Sequence, residues 1–275
     1  MSVEKFYIKK VDDTIEHEIS ELIPGIEAQG ITHQSPQLTP LVHQIAGSDG
    51  ELVYPSYYAP STVQAKFLLR GNDVYDYKLM ASQLFRVLYS REPIQIHDEV
   101  EPYIVYCVIV KPFTITPFNF TDSQITVDFI NPSGYRKSIV NSDAITNDMA
   151  IGMNIPSNAS LQYHFNSNSF NIYNPSDVVI DPYIYRHQLI VKIKCNGKPN
   201  ITNQTNNTSF AINGGNNLTT DNTLVLNGID SLLDGHPYGL NTNMGYLKLE
   251  KGNNQISISG ATDIDITFSF PFLYL

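Results

Sequence analysis

Tryptophan is absent from these 275 residues, and charge is scarce. Asp, Glu, Lys and Arg together make up 16% of the chain, against about 25% in ordinary soluble domains. Bases are scarcer than acids, 17 against 27, for a net charge of −10. The first 140 residues carry 17 acids and 11 bases, the remainder 10 and 6. Neither half therefore has the basic surface that holds a phosphate backbone. Cysteine is limited to Cys107 and Cys195. Two thiols 88 positions apart make no disulfide framework and read as buried strand residues. No apolar run reaches the roughly 18 residues needed to span a bilayer, and Met1 to Lys10 holds no apolar signal core. A soluble chain made in a cytoplasm is expected, with no membrane partner. Sequons such as Asn158-Ala159-Ser160 and Asn217-Leu218-Thr219 are then by-products of composition.

Asparagine fills the space left by charge: 25 residues, 22 of them after position 140. Aromatics reach 11%, nearly all Tyr and Phe, and hydrophobic residues 42%, enough for real cores. Such a mixture favours strands and turns, and the length favours two domains.

One helix stands out. Asn72-Asp73 can cap it, Asp76 meets the dipole in its first turn, and Tyr77, Met80, Leu84, Val87 and Leu88 recur at helical spacing. With Arg86 and Arg91 in the last turn and Pro93 as a stop, the pattern predicts a helix over 73–91 packed on a sheet. Around it the period is two: Val63, Ala65, Phe67 and Leu69, then Ile125, Val127 and Phe129, with Tyr103 to Val110 as a continuous apolar run. Gly47-Ser48-Asp49-Gly50 reads as a turn between Leu41–Ala46 and Glu51–Tyr54.

A boundary is expected between 131 and 141, giving domains 1–140 and 141–275. Residues 141–160 read as a connection or an irregular first strand. Beyond it Leu161, Tyr163 and Phe165 alternate, as do Leu189 to Cys195, Ile256 and Ile258, and Ile264 to Phe272. The last of these should tie the C-terminus into a sheet. The Asn/Gly/Thr clusters of 196–223 read as long hairpin loops. Many short strands with such turns suggest a sandwich or jelly roll. The overall expectation is a mainly β protein: an N-terminal β-sandwich bearing one α-helix, then a C-terminal jelly roll.

Chemistry is hard to find. None of the seven histidines forms a His-Glu-x-x-His pair or a zinc spacing. There is no nucleophile elbow, P-loop or Gly-x-Gly-x-x-Gly. Asp98, Glu99 and Glu101 cluster after a strand and Asp263 and Asp265 alternate on one. A glycosidase needs only two carboxylates, but an acidic cluster at a strand end reads first as a solvated turn. The spacing of a calcium loop is missing. Tyr173, Tyr183, Tyr185, Tyr238 and Tyr246 read as core and inter-strand packing, with a sugar-stacking platform as the alternative. No catalytic residue, metal ligand or cofactor site is assigned.

Several segments together resemble the distal tail protein (Dit) family of long, non-contractile-tailed bacteriophages. They are the Gly47-Ser48-Asp49-Gly50-Glu51 turn, the Pro60-to-Leu69 strand, and Tyr75-Asp76 opening a helix that ends in Ser90-Arg91-Glu92-Pro93. Ile94-Gln95-Ile96-His97-Asp98 and the Tyr103–Val110 strand follow. In the second half, Asn174-Pro175 with Asp181-Pro182 looks like the start of the family's galectin-like domain. Ile229-Asp230-Ser231 and Leu249-x-x-Gly252-x-Asn254-x-Ile256 resemble its closing hairpins. The matches run in family order over roughly residues 40 to 270. Each also has a structural reason. Gly47, Gly50 and Gly252 suit turns, the last two at positive φ. Asp49 and Asn254 can bond the local backbone. Tyr75, Asp76, Glu92 and Pro93 bound the helix.

The resemblance implies a non-enzymatic structural hub at the tail tip of a virion. Its N-terminal domain assembles into a hexameric ring, and the galectin-like C-terminal domain projects outward. The implied partners are the tail tube protein, the tail-tip or tail-associated lysin protein, and a receptor-binding protein. DNA passes through the lumen without specific binding, which an acidic wall suits. The 196–223 stretch is a departure, an arm or loop particular to this chain. A further one is the lack of room for large inserted carbohydrate-binding modules. A lectin gripping host saccharide with the C-terminal jelly roll is the second reading, and a glycan-degrading enzyme the third.

Overall fold

The computed structural model describes residues 4–275. The chain divides into two compact units, one running to Lys137 and taking in Leu275, the other Ser138–Tyr274.

The first unit comprises β1 (Phe6–Lys9), β2 (His17–Glu18), α1 (Ile19–Leu22), β3 (Ile26–His33), β4 (Gln37–His43), β5 (Leu52–Ala59), β6 (Ser61–Arg70), α2 (Val74–Leu88), β7 (Ile94–Asp98), β8 (Ile104–Val110) and β9 (Asp122–Asn131). Seven strands form one antiparallel path, β2-β1-β7-β8-β9-β6-β3. The alternation in β6 and β9 decides which face is buried. Val63, Ala65, Phe67 and Leu69 pair with Phe129, Val127, Ile125 and Ser123, and all of them are buried. Phe6 meets Phe67 edge to face at 5.1 Å in the same core.

Helix α2 covers this core with Met80, Leu84 and Leu88, while Tyr77 is buried and Val87 partly so. Asp73 caps it: the Asp76 N–H donates to Asp73 Oδ1 at 2.7 Å. The helix ends earlier than its sequence suggests. Tyr89 is already extended and its N–H closes the last turn on Phe85. Arg91 and Pro93 lie in the turn before β7 rather than in the helix or at its stop. The apolar stripe runs out at Leu88, so nothing holds Ser90–Glu92 in a further turn.

Among the described residues, strands β4 and β5 pair only with each other, as a two-stranded sheet. Ser48 N–H donates to Ile45 O at 3.1 Å in the turn between them. Gly47 and Gly50 there hold φ of 85° and 79°, a region open to glycine at no steric cost.

The second unit contains most of β10 (Arg136–Asn141), a 3-10 turn at Ser142–Ala144, and α3 (Asn147–Gly152). Next come β11 (His164–Phe165), β12 (Ser169–Asn174), β13 (Ile190–Asn203), β14 (Thr208–Ala211), β15 (Leu224–Asn227) and β16 (Asp230–Leu233). The unit ends with β17 (His236–Pro237), β18 (Gly252–Ser269) and β19 (Pro271–Tyr274). Two long strands organise it. The first part of β18 pairs with β12 and with the end of β13, which carries β14. The last part of β18 pairs with β11 and with the start of β13, which carries β15, β16 and β17. The register shifts between these parts, around Asn196 and Gly197. There Gly197 and Gly260 take φ of 116° and 75°, and a Cβ on either would strike the facing backbone carbonyl. Both positions therefore require glycine. The aromatic core packs Tyr163 against Phe270 edge to face and stacks Phe165 on Phe170.

The mainly β class with one main helix is as the sequence indicates. Three readings are corrected. Residues 141–160, read as a connection or an irregular first strand, hold a 3-10 turn and α3, capped when Thr146 Oγ1 accepts from Met149 N–H, so the strand alternative falls. The 196–223 stretch is not all loop. It completes β13 as far as Asn203 and contains β14, because Ile201, Phe210, Ile212 and Leu218 bury themselves between the polar residues. Finally, only His164–Phe165 of the Leu161 segment is strand.

Candidate functional site

The nine positions singled out by motif fall into four local turns and form no common site. Gly47, Asp49 and Gly50 cap the β4–β5 hairpin. Asp49 is exposed and its carboxylate bonds nothing among the described residues, so the turn rests on backbone geometry and the Asp49 bond expected from sequence is not made. Tyr75 is exposed on the first turn of α2. Asp76 Oδ2 accepts from the Asn72 N–H at 2.9 Å and from its side-chain amide at 3.0 Å, which secures the entry to that helix. Glu92 N–H donates to Ser90 Oγ at 3.2 Å, and Pro93 leads directly into β7. Gly252 opens β18 at φ 81°.

Asn254 differs from the rest. It is completely buried, and its Oδ1 accepts from Glu250 N–H at 2.8 Å and from Asn203 Nδ2 at 2.9 Å. Its own amide donates to the carbonyls of Glu250 and Gly252 at 2.8 and 3.1 Å. Every hydrogen-bonding valence of the side chain is thus used. Asn174 and Asn203, also buried, brace neighbouring carbonyls in the same way. Nearby, the hydrogen bond from Lys248 to Glu250 raises the lysine pKa. These are structural groups and they leave nothing over for a ligand.

The carboxylates weighed as catalysts are likewise spent or solvated. Asp98 Oδ1 accepts from the N–H groups of Val100 and Glu101 at 3.0 and 2.9 Å. Glu101 pairs with Arg136 at 2.8 Å. Asp263 and Asp265 are exposed. Among the described residues no group of His, Cys, Asp and Glu could hold a metal. Burial raises the Cys107 thiol, and pushes that of Cys195 up to about 11.

Two surfaces stand out instead, one in each unit. In the first unit the β4–β5 hairpin carries apolar side chains with no cover: Leu38, Leu41, Val42, Val53, Tyr54 and Tyr57 are all exposed, Val53 at 73%. Because β4 and β5 pair alone and alternate residues face opposite ways, both faces of the ribbon are apolar. Pro40 sits in the register shift between Thr39 and Leu41, where a missing N–H does least harm. Between residues 35 and 60 the only charges are Asp49 and Glu51. Elsewhere on this unit, Phe85 of α2 and Tyr89 just past its end gather with Phe113, at ring separations of 5.3 Å and 6.1 Å from it, as an aromatic patch. The sequence shows the turn of the hairpin, but alternation cannot reveal that no layer covers its strands.

In the second unit a cavity of about 840 Å³ lies beside the β15–β16 hairpin. Tyr183 and Tyr246 border it with ring centroids 5.2 Å apart, inclined by 31°. Tyr183 and Tyr185 are exposed, which corrects their reading as core packing.

Residues 12–135 match the family model of the phage tail protein RIFT-related domain. The Dit protein of phage SPP1, described as a paradigm of the hub adsorption apparatus of phages infecting Gram-positive bacteria, has a similar structure. The similarity covers 97% of this chain and 99% of that one at a TM-score of 0.67 and 12% identity. Chains of the phage p2 baseplate in its activated conformation, with Sr and with Ca, match at TM-scores of 0.46 and 0.48. Each is 12% identical, with 98% of both chains covered. No curated protein matches. The resemblance to distal tail proteins drawn from the sequence is borne out by the domain match and by the shared fold.

Proposed function

We propose that this chain, with a phage tail RIFT-related domain over residues 12–135 and the fold of a distal tail protein, is the structural hub of a bacteriophage tail tip. Copies of it form a hexameric ring that joins the tail tube above to the tail-tip or tail-associated lysin protein below. The ring leaves a channel for DNA. The N-terminal domain, 1–140, forms the ring, and the galectin-like C-terminal domain, 141–275, supports a receptor-binding protein. Its work is assembly, not catalysis.

The observation that carries this reading is the uncovered β4–β5 ribbon. A ring closes through head-to-tail contacts, each of which needs two different complementary patches on one subunit. The ribbon is one, apolar on both faces. The aromatic patch of Phe85, Tyr89 and Phe113 is another. Copies bearing a net charge of −10 repel one another, so a contact between them is best made through a segment with only two charges. The same acidity keeps DNA from adhering to the channel wall.

The test uses phage tails carrying Leu41→Glu with Val53→Glu, one acid on each face of the ribbon. Wild-type tails should yield a ring of fixed stoichiometry by native mass spectrometry and negative-stain microscopy. The variant should melt like wild type, since both side chains are already exposed, yet be missing from the tails. Normal tips built from the variant, or purified wild-type tails without this chain, would refute the proposal.

A further inference from the structure

The cavity beside β15 and β16 has the size and wall chemistry of a small-molecule site. Its volume of about 840 Å³ falls within the roughly 300–1,000 Å³ of known ligand pockets, which are mostly apolar with a few converging polar groups. Here the apolar part includes the rings of Tyr183, Tyr246 and Phe210. The polar part includes Asn227, Asp230, Ser231 and Thr242; the side chains of the first three have no hydrogen-bond partner among the described residues. Asn227 and Asp230 sit side by side because β15 and β16 are a hairpin in which they face each other, with Gly228 at φ 67° in the turn; Ser231, the next residue on β16, pairs with Leu226 and points to the opposite face.

The 242–245 stretch of the wall is held in place before any ligand arrives. Thr242 Oγ1 donates to Gly239 O at 2.8 Å and accepts from Met244 N–H at 3.0 Å. Asn243 Oδ1 accepts from Ala211 N–H at 3.0 Å and Gly245 N–H at 2.9 Å. Such a stretch loses little entropy on binding.

An exposed aromatic face, next to a carboxylate and an amide side by side, matches a ligand that is apolar on one side and rich in hydroxyls at its edge. We infer that this cavity binds a neutral hexopyranose. The C–H face of the sugar lies on Tyr183 beside Tyr246, and adjacent hydroxyls donate to Asp230 and bond with Asn227. The carboxylate of Asp230 disfavours an anionic sugar or a phosphate. An aromatic peptide would fill the apolar wall but leave Asp230 and Asn227 unpaired and desolvated, which is costly. The site belongs to the second unit alone and stands whether or not the first unit forms a ring.

Saturation-transfer NMR on the full chain tests this, with the methyl pyranosides of glucose, galactose and mannose as probes. At least one should receive saturation on its ring protons. Tyr183→Ala and Asp230→Asn, both at exposed positions, should each weaken that binding about tenfold or more. Tyr75→Ala, in the first unit, should leave it unchanged. No transfer to any of the three sugars, or an affinity unaltered by either cavity variant, overturns the assignment.

Discussion

Asn203 donates its side-chain amide to the side-chain oxygen of Asn254 at 2.9 Å, across two residues that water does not reach. The bond ties the end of β13 to the start of β18. It shows one use of asparagine in a chain so poor in charge. An amide can both donate and accept, so it satisfies buried carbonyls and N–H groups together without the cost of burying a charge.

Asn254→Ala removes the partner of the Asn203 amide, the Glu250 N–H and two carbonyls at once. Buried groups left unsatisfied cost roughly 1–3 kcal/mol each and do not add fully, so a loss of about 3 kcal/mol is expected. At roughly 2–4 °C per kcal/mol, melting of the second unit should drop by about 10 °C in calorimetry. Asn253→Ala, one residue earlier and exposed, should change stability by less than about 0.5 kcal/mol. Equal effects from the two would mean that burial of the amide network is not what matters.

Helix α2 offers a second contrast between neighbouring positions. Leu84 is completely buried on the sheet, whereas Leu79 is more than half exposed. Leu84→Ala should cost about 2–5 kcal/mol, the lost transfer energy plus the cavity left behind. Leu79→Ala should be close to neutral, since alanine is the better helix former. Urea titration of the first unit, followed by far-UV circular dichroism, separates the two outcomes.

Legibility followed from periodicity. Val63 to Leu69, Ile125 to Phe129 and the stripe from Tyr77 to Leu88 announce themselves, because each buries one face and the chain's period records which. The end of α2 was hidden, because Pro93 looks like a stop although the buried stripe has already run out at Leu88. Strand β14 and the end of β13 were hidden among Asn and Thr because the residues that decide them, Ile201 and Phe210, stand singly in a polar context. Asn254 could be seen as a turn residue but not as a buried one, since sequence does not say that Asn203 would face it. The β4–β5 ribbon was legible as a hairpin. Its exposure was not, because composition looks the same for a strand covered by its own chain and one left for another.

Two tyrosines set an alkaline limit on the fold. Desolvation chiefly pushes Tyr106 up from its ordinary 10.0 to about 12, and raises Tyr163 further. Both phenols are hydrogen-bonded, Tyr106 with His33 at 2.9 Å and Tyr163 to the Tyr173 carbonyl at 2.8 Å. The folded state holds these protons after the unfolded chain has released them. The stabilisation is therefore complete below about pH 10 and is lost as pH rises from 10 towards 12. The urea midpoint should fall across that window, and phenolate absorbance of these two rings should appear only with unfolding. In Tyr106→Phe with Tyr163→Phe the midpoint should be flatter over the same range, and an unchanged slope would contradict the burial argument.

Each unit carries one free cysteine in a long strand, Cys107 in β8 and Cys195 in β13. The Cys195 thiol is completely buried and pushed up to about 11 by desolvation. A thiol reagent at pH 8 should therefore reach it only when the second unit opens. Cys107 is less deeply buried, with Lys137 partly offsetting its upward shift, and should react first. Labelling single-cysteine variants, Cys107→Ser and Cys195→Ser, then reads each unit separately. Asn254→Ala should speed labelling of Cys195 and leave Cys107 alone. Leu84→Ala should do the reverse. If either substitution accelerates both thiols equally, the two units open as one cooperative body, and the division at Lys137 describes packing without describing stability.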